Sequence, residues 1–90
     1  MKVRWTGTAR RDFEGIVDYI SRDNPAAAER VGASILEAAA SLATMANRGR
    51  PSRRKGGREL VLAPLPYIIE YRVQAHEVLI VRIWHGKQRR

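Results

Sequence analysis

Val3 and Trp5 alternate with Lys2 and Arg4, a period of two that predicts a short opening strand with one apolar face. The period then changes. Ala9, Phe13, Ile16, Val17 and Ile20 recur at helical offsets behind two candidate caps, Thr6 and Thr8, with Arg10, Arg11, Glu14 and Asp18 facing outward and Tyr19 at the edge of the stripe. Asp23-Asn24-Pro25 closes this helix and opens another, because proline is accepted at the first helical position behind an asparagine cap. Ala28, Val31, Ile35, Ala38, Leu42 and Met45 follow at spacings of three and four, a narrow alanine-rich stripe suited to a close helical hairpin.

Periodicity vanishes between Asn47 and Gly57, where asparagine, arginine, glycine, proline, serine and lysine spell a loop. Three β-branched or aromatic runs come next: Leu60 to Ala63, Tyr67 to Val73 and Val78 to Ile83. The gap around Gln74-Ala75-His76-Glu77 is short enough for a hairpin, so the last two strands are expected to be antiparallel neighbours. The pattern predicts an α+β domain, β-α-α-β-β-β, with a two-helix hairpin packed on one face of an antiparallel sheet. Ile16, Ile20, Val31, Ile35 and Leu42 are expected to face Leu60, Tyr67, Ile69, Tyr71 and Ile80.

Ninety residues hold one domain, 1–90, with a lean core that a partner would help to cover. Cysteine is absent, which excludes disulfides, thiolate metal sites and cysteine nucleophiles and fits a reducing, cytoplasmic setting. No apolar run approaches the ~20 residues that span a bilayer, and Lys2 and Arg4 precede no signal-like segment, so no membrane is expected. The net charge of +8 is unevenly placed. Lys2, Arg4, Arg10, Arg11, Arg22 and Arg30 cancel against six acids before residue 47, whereas eleven basic residues beyond it meet only Glu59, Glu70 and Glu77. Such a one-sided field attracts phosphate backbones or acidic proteins.

No glycine pattern cradles a phosphate, and His76 and His85 have no metal-ligand spacing with nearby acids; neither a metal nor a cofactor is expected. His76 falls in a turn. His85 ends a strand and precedes Gly86-Lys87-Gln88-Arg89-Arg90, where it could exchange a proton near neutral pH or simply close the strand. Trp5, Phe13, Tyr67, Tyr71 and Trp84 lie on apolar stripes and are expected mostly in the core, although aromatics beside positive charge also stack bases. Arg48, Arg50, Arg53, Arg54, Lys55 and Arg58 have no helical or strand period and cannot all be buried. Arg58, beside Glu59 at a strand entry, could face a substrate or form an ion pair.

The order of Asn24-Pro25-Ala26-Ala27-Ala28, Gly49-Arg50-Pro51, Arg58-Glu59-Leu60-Val61, Pro66-Tyr67-Ile68-Ile69-Glu70-Tyr71-Arg72-Val73 and Val81-Arg82-Ile83-Trp84-His85-Gly86-Lys87-Gln88 resembles the RelE/ParE superfamily of bacterial toxins over nearly the whole chain. The resemblance implies the toxin of a type II toxin–antitoxin pair, covered by a cognate antitoxin. RelE-like members cut messenger RNA on the ribosome, and ParE-like members inhibit DNA gyrase. For the ribonuclease branch the resemblance implies catalytic roles for Arg58, Arg82 and His85. However, no tyrosine follows Tyr71, and strand alternation sets Arg82 and His85 on opposite faces unless a bulge intervenes. The ending His85-Gly86-Lys87-Gln88 looks more like the ParE branch, for which Arg50, Arg53, Arg54, Lys55 and Lys87 are the candidate target-binding residues. A basic nucleic-acid-binding module is the further alternative.

Overall fold

The computed structural model describes residues 1–88; Arg89 and Arg90, the last of the basic ending, lie outside the described residues. Strand β1 (Lys2–Trp5) leads into helices α1 (Gly7–Ser21) and α2 (Pro25–Ser41). Strands β2 (Arg50–Pro51), β3 (Gly57–Val61), β4 (Tyr67–Val73) and β5 (Glu77–His85) follow, and a short 3-10 turn (Gly86–Gln88) closes the described chain. Of the two candidate caps of α1, Thr6 takes the role, its Oγ1 accepting from Ala9 N at 3.0 Å, and Thr8 lies inside the helix; Asn24 Oδ1 caps α2, accepting from Ala27 N at 3.0 Å.

The sheet has the order β1-β5-β4-β3-β2. It is antiparallel from β2 to β5, and β1 adds to β5 in parallel, which makes the α+β sheet mixed. An apolar alternation carries no strand direction, so the parallel edge was not readable from Val3 and Trp5. The two-residue β2 also arises within the segment expected as loop, and β3 starts at Gly57 rather than Leu60 because its backbone pairs with β4 irrespective of side-chain polarity. Helix α2 stops at Ser41, leaving Met45 half-exposed instead of extending the apolar stripe.

Cross-strand register divides the sheet into two faces. Val3, Trp5, Leu60, Tyr67, Ile69, Tyr71, Val78, Ile80 and Ile83 share the helix side, where Ala9, Ile35, Ala39 and Leu42 complete the core. Phe13, Ile16 and Val31 pack partly buried against it, and Trp5 meets Phe13 edge to face at 5.7 Å. Arg4, Glu59, Ile68, Glu70, Arg82 and Trp84 register on the opposite face, over which no helix of the described residues is packed. Trp84 thus departs from the expected aromatic core.

A buried knot joins the loop after α2 to the sheet. The Tyr71 hydroxyl donates to Ala46 O at 2.8 Å and accepts from Gly49 N at 2.8 Å. A Cβ on Gly49 would lie 2.6 Å from Glu59 O and 2.7 Å from that hydroxyl, so only glycine allows the approach. The basic segment that follows is therefore anchored at its root.

Ile35 is fully buried, and Ile35→Ala is expected to cost ~2–5 kcal/mol in urea-unfolding stability. At the sheet's edge, the Arg4 hydrogen bond holds the Glu77 carboxyl below its ordinary value. A depressed carboxyl adds stability above the ordinary carboxylate range and loses it as pH falls through the lowered midpoint. An NMR titration is expected to find the Glu77 midpoint below 4.5, and Arg4→Ala to return it toward that value.

Candidate functional site

Strand β1 ends opposite Ile80, so the outer edge of β5 from Val81 onward has no neighbouring strand among the described residues. Helix α1 crosses this gap and supplies the missing partners. Thr6 N donates to Ile80 O at 3.0 Å, and the Thr6 hydroxyl donates to Val81 O at 3.0 Å. Asp12 Oδ2 then accepts from Ile83 N at 3.0 Å and from Arg82 Nε at 2.8 Å. A side-chain carboxylate thereby does the hydrogen bonding of a strand.

Between α1 and the end of β5 lies an open groove of about 1000 Å³. Its apolar wall comes from Ile16, Tyr19, Ile20, Tyr67 and Trp84, and its polar rim from Arg11, Arg82, His85 and Lys87. Tyr19 is 73% exposed along this wall. Desolvation, and then the nearby Tyr19 hydroxyl, raises the Tyr67 phenol above its ordinary value, so it remains protonated near neutral pH. His85 stands edge to face with Tyr67 at 5.6 Å, and its Nδ1 accepts from Lys87 N at 3.1 Å.

Two of the three residues proposed for ribonuclease chemistry reach this groove. The register shift at Glu70/Tyr71 leaves Val81 as an extra residue, a bulge that precedes Arg82 instead of separating it from His85. Alternation therefore holds: His85 pairs with Tyr67 on the helix side and Arg82 with Glu70 on the open side. Arg82 reaches Asp12 by folding around the uncovered edge, with its guanidinium carbon 4.2 Å from the Trp84 ring centre. The Asp12 hydrogen bond raises its pKa above the ordinary arginine value, against desolvation, so Arg82 is a fixed cation.

Arg58 is elsewhere. It pairs with Tyr71, four β4 residues from the Tyr67–His85 pair, a separation of about 13 Å along the strand. Its guanidinium donates to Gly49 O at 2.6 and 3.0 Å and to Asn47 O at 3.3 Å, tying down the same loop root as Tyr71. Among the candidate target-binding residues, Arg50 and Arg54 pair with Glu59 and Glu70 across the open face. Arg53, Lys55 and Lys87 are exposed and form no side-chain ion pair among the described residues. His76 is exposed in the β4–β5 turn. No group of three or more histidine, cysteine or acidic residues among the described residues could hold a metal.

Sequence reasoning missed Asp12. It lies three residues after Ala9 and four before Ile16, on the apolar face of α1, and a carboxylate there needs a buried partner. It also missed Glu59 and Glu70, whose signal was their position inside strands in the acid-poor half of the chain.

The family model described as the ParE toxin of the type II toxin–antitoxin system parDE matches residues 3–90. The chain is 44% identical over 85 residues to toxin RelE2 of Caulobacter vibrioides, covering 94% of each chain. It superposes on a chain of the chromosomal ParDE toxin–antitoxin system of P. aeruginosa with a TM-score of 0.87 and 33% identity, covering 94% of this chain and 95% of that one. Against the toxin–antitoxin complex RelBE2 of Mycobacterium tuberculosis the TM-score is 0.67 at 30% identity, with 93% and 95% covered.

Asp12→Ala would leave the Ile83 amide without its acceptor and release Arg82 from its carboxylate. The expected loss is ~1–3 kcal/mol in denaturant unfolding, together with faster hydrogen exchange at Ile83.

Proposed function

Because the chain belongs to the ParE toxin family of type II toxin–antitoxin systems, we propose that it arrests growth as the ParE branch does, by binding and inhibiting DNA gyrase in the cytoplasm. Its proposed partner is a cognate antitoxin, an acidic or amphipathic segment of which covers apolar surface and meets arginines. The closer superposition on the ParDE chain than on the RelBE2 chain supports this branch. The exposed cations Arg53, Lys55 and Lys87 are the proposed target contacts.

The observation that carries the reading is the engagement of the arginines. In-line attack by a ribose 2′-hydroxyl needs a base, an acid and a cation arranged around one phosphorus atom. Arg58 is spent on the Gly49 and Asn47 carbonyls and Arg82 on Asp12, while His85 Nδ1 accepts the Lys87 amide. Each missing proton-transfer group would forfeit ~10²–10⁴-fold in rate. The second reading, ribosome-dependent mRNA cleavage with Arg58, Arg82 and His85 as catalytic residues, is favoured by the similarity to toxin RelE2. In that reading the ribosome would align the RNA and the arginines would stabilise developing charge.

Purified toxin added separately to gyrase supercoiling and ribosome-dependent cleavage assays divides the two readings. Supercoiling is expected to be inhibited and mRNA to remain uncut, with His85→Ala retaining the inhibition. Charge reversal at Arg53, Lys55 and Lys87 is expected to weaken it about tenfold or more. Codon-positioned cuts that disappear in His85→Ala, with gyrase unaffected, would establish the second reading.

A further inference from the structure

The open face of the sheet is covered by no helix among the described residues, yet two carboxylates on it are buried: Glu59 and Glu70 are 5% and 4% exposed. They are direct cross-strand partners. Like charges in that relation destabilise a sheet, so the pairing of β3 with β4 requires cations at these positions. The basic segment provides them. Arg50 Nε lies 3.5 Å from Glu59 Oε1 and Arg54 Nε lies 3.7 Å from Glu70 Oε2, each arginine arching from solvent onto a buried acid. The Trp84 indole donates to Glu70 Oε1 at 3.0 Å, and Arg82 covers that indole.

Withdrawing the cation from a buried carboxylate is far costlier than separating two exposed charges. A phosphate that recruited Arg50 or Arg54 would have to compete against that penalty. Lys2, Arg4, Arg50, Arg54, Arg72 and Arg82 lie on or over this face, but Arg4, Arg50, Arg54 and Arg82 are paired with Glu77, Glu59, Glu70 and Asp12. Arg72 donates to the Lys55 carbonyl.

We propose that Glu59 and Glu70 are specificity-determining residues: by holding Arg50 and Arg54 on the sheet, they make the open face of this basic toxin refuse nucleic-acid backbones. The surplus positive charge is thereby reserved for the loop tip at Arg53 and Lys55 and for the groove rim at Lys87. A chain with a net charge of +8 then avoids capture by the bulk RNA and DNA of the cell. The inference goes beyond the choice of gyrase as target and is tested by binding alone, so its failure would leave the supercoiling assay unaffected.

The test measures the affinity of a single-stranded RNA oligonucleotide across a salt series for wild type and for Glu59→Gln/Glu70→Gln. Glutamine retains an acceptor for Trp84 while removing the charge. The double variant is expected to bind about tenfold tighter at low salt, and its log K against log salt is expected to steepen by about 0.7 for each released arginine. Glu77→Gln, which removes one carboxylate from the more exposed Arg4 pair on the same face, is expected to gain less than half as much in log K, that is less per charge removed. An equal gain per charge removed in Glu77→Gln, that is half or more of the double variant's gain in log K, or unchanged affinity in a folded double variant, would overturn the proposal. If the double variant does not fold, as judged by its circular-dichroism melt, Glu70→Gln alone decides, because it keeps both arginines and the Trp84 acceptor and relieves the like-charge pairing. A gain in RNA affinity clearly above that of Glu77→Gln, which removes the same single charge, supports the proposal, and an equal or smaller gain overturns it.

Discussion

Beyond the Trp5–Ile80 pair, β5 has no neighbouring strand on one side among the described residues, and the Asp12 carboxylate fills that gap. One oxygen of Asp12 accepts both the Ile83 amide and the Arg82 guanidinium, so the contact fixes backbone and side chain together. It presses α1 against β5, sets the groove between them and turns Arg82 over Trp84. Trp84 in turn donates to Glu70. The polar chain thus runs from the helix side around the sheet edge to the centre of the open face.

The same principle of committed charge recurs across the molecule. Arg58 holds the loop root, Arg82 holds Asp12, and Arg50 and Arg54 lie against buried glutamates. A guanidinium with such partners is a structural cross-link, because releasing it exposes an unsatisfied carbonyl or a buried carboxylate. The proposed activity accordingly belongs to the cations outside these links, at the loop tip and groove rim. On the proposed reading, this arrangement serves recognition of a protein surface rather than chemistry on a phosphate.

Much of the fold was legible because apolar periods report burial directly. The Thr6 and Asn24 caps, the helical hairpin and the β4–β5 pairing follow from local pattern. The parallel addition of β1 did not, since its partner lies more than seventy residues away and alternation has no polarity. The candidate site was less legible for a related reason. His85 and Lys87 stood out by type and position, whereas Asp12, Glu59 and Glu70 acquire their roles only when distant strands and α1 come together. Arg58 shows the converse: a cation suggestive of phosphate chemistry in sequence is spent on two loop carbonyls in space.

The commitment of Arg82 to Asp12 is open to direct observation through the Arg82 Nε–H resonance in a ¹⁵N-labelled sample at neutral pH. The expected result is a resolved, slowly exchanging signal that is lost in Asp12→Asn and stays unmoved when RNA is added to wild type. A rapidly exchanging side chain in the wild-type protein, or one whose Nε–H shifts on binding RNA, would contradict it.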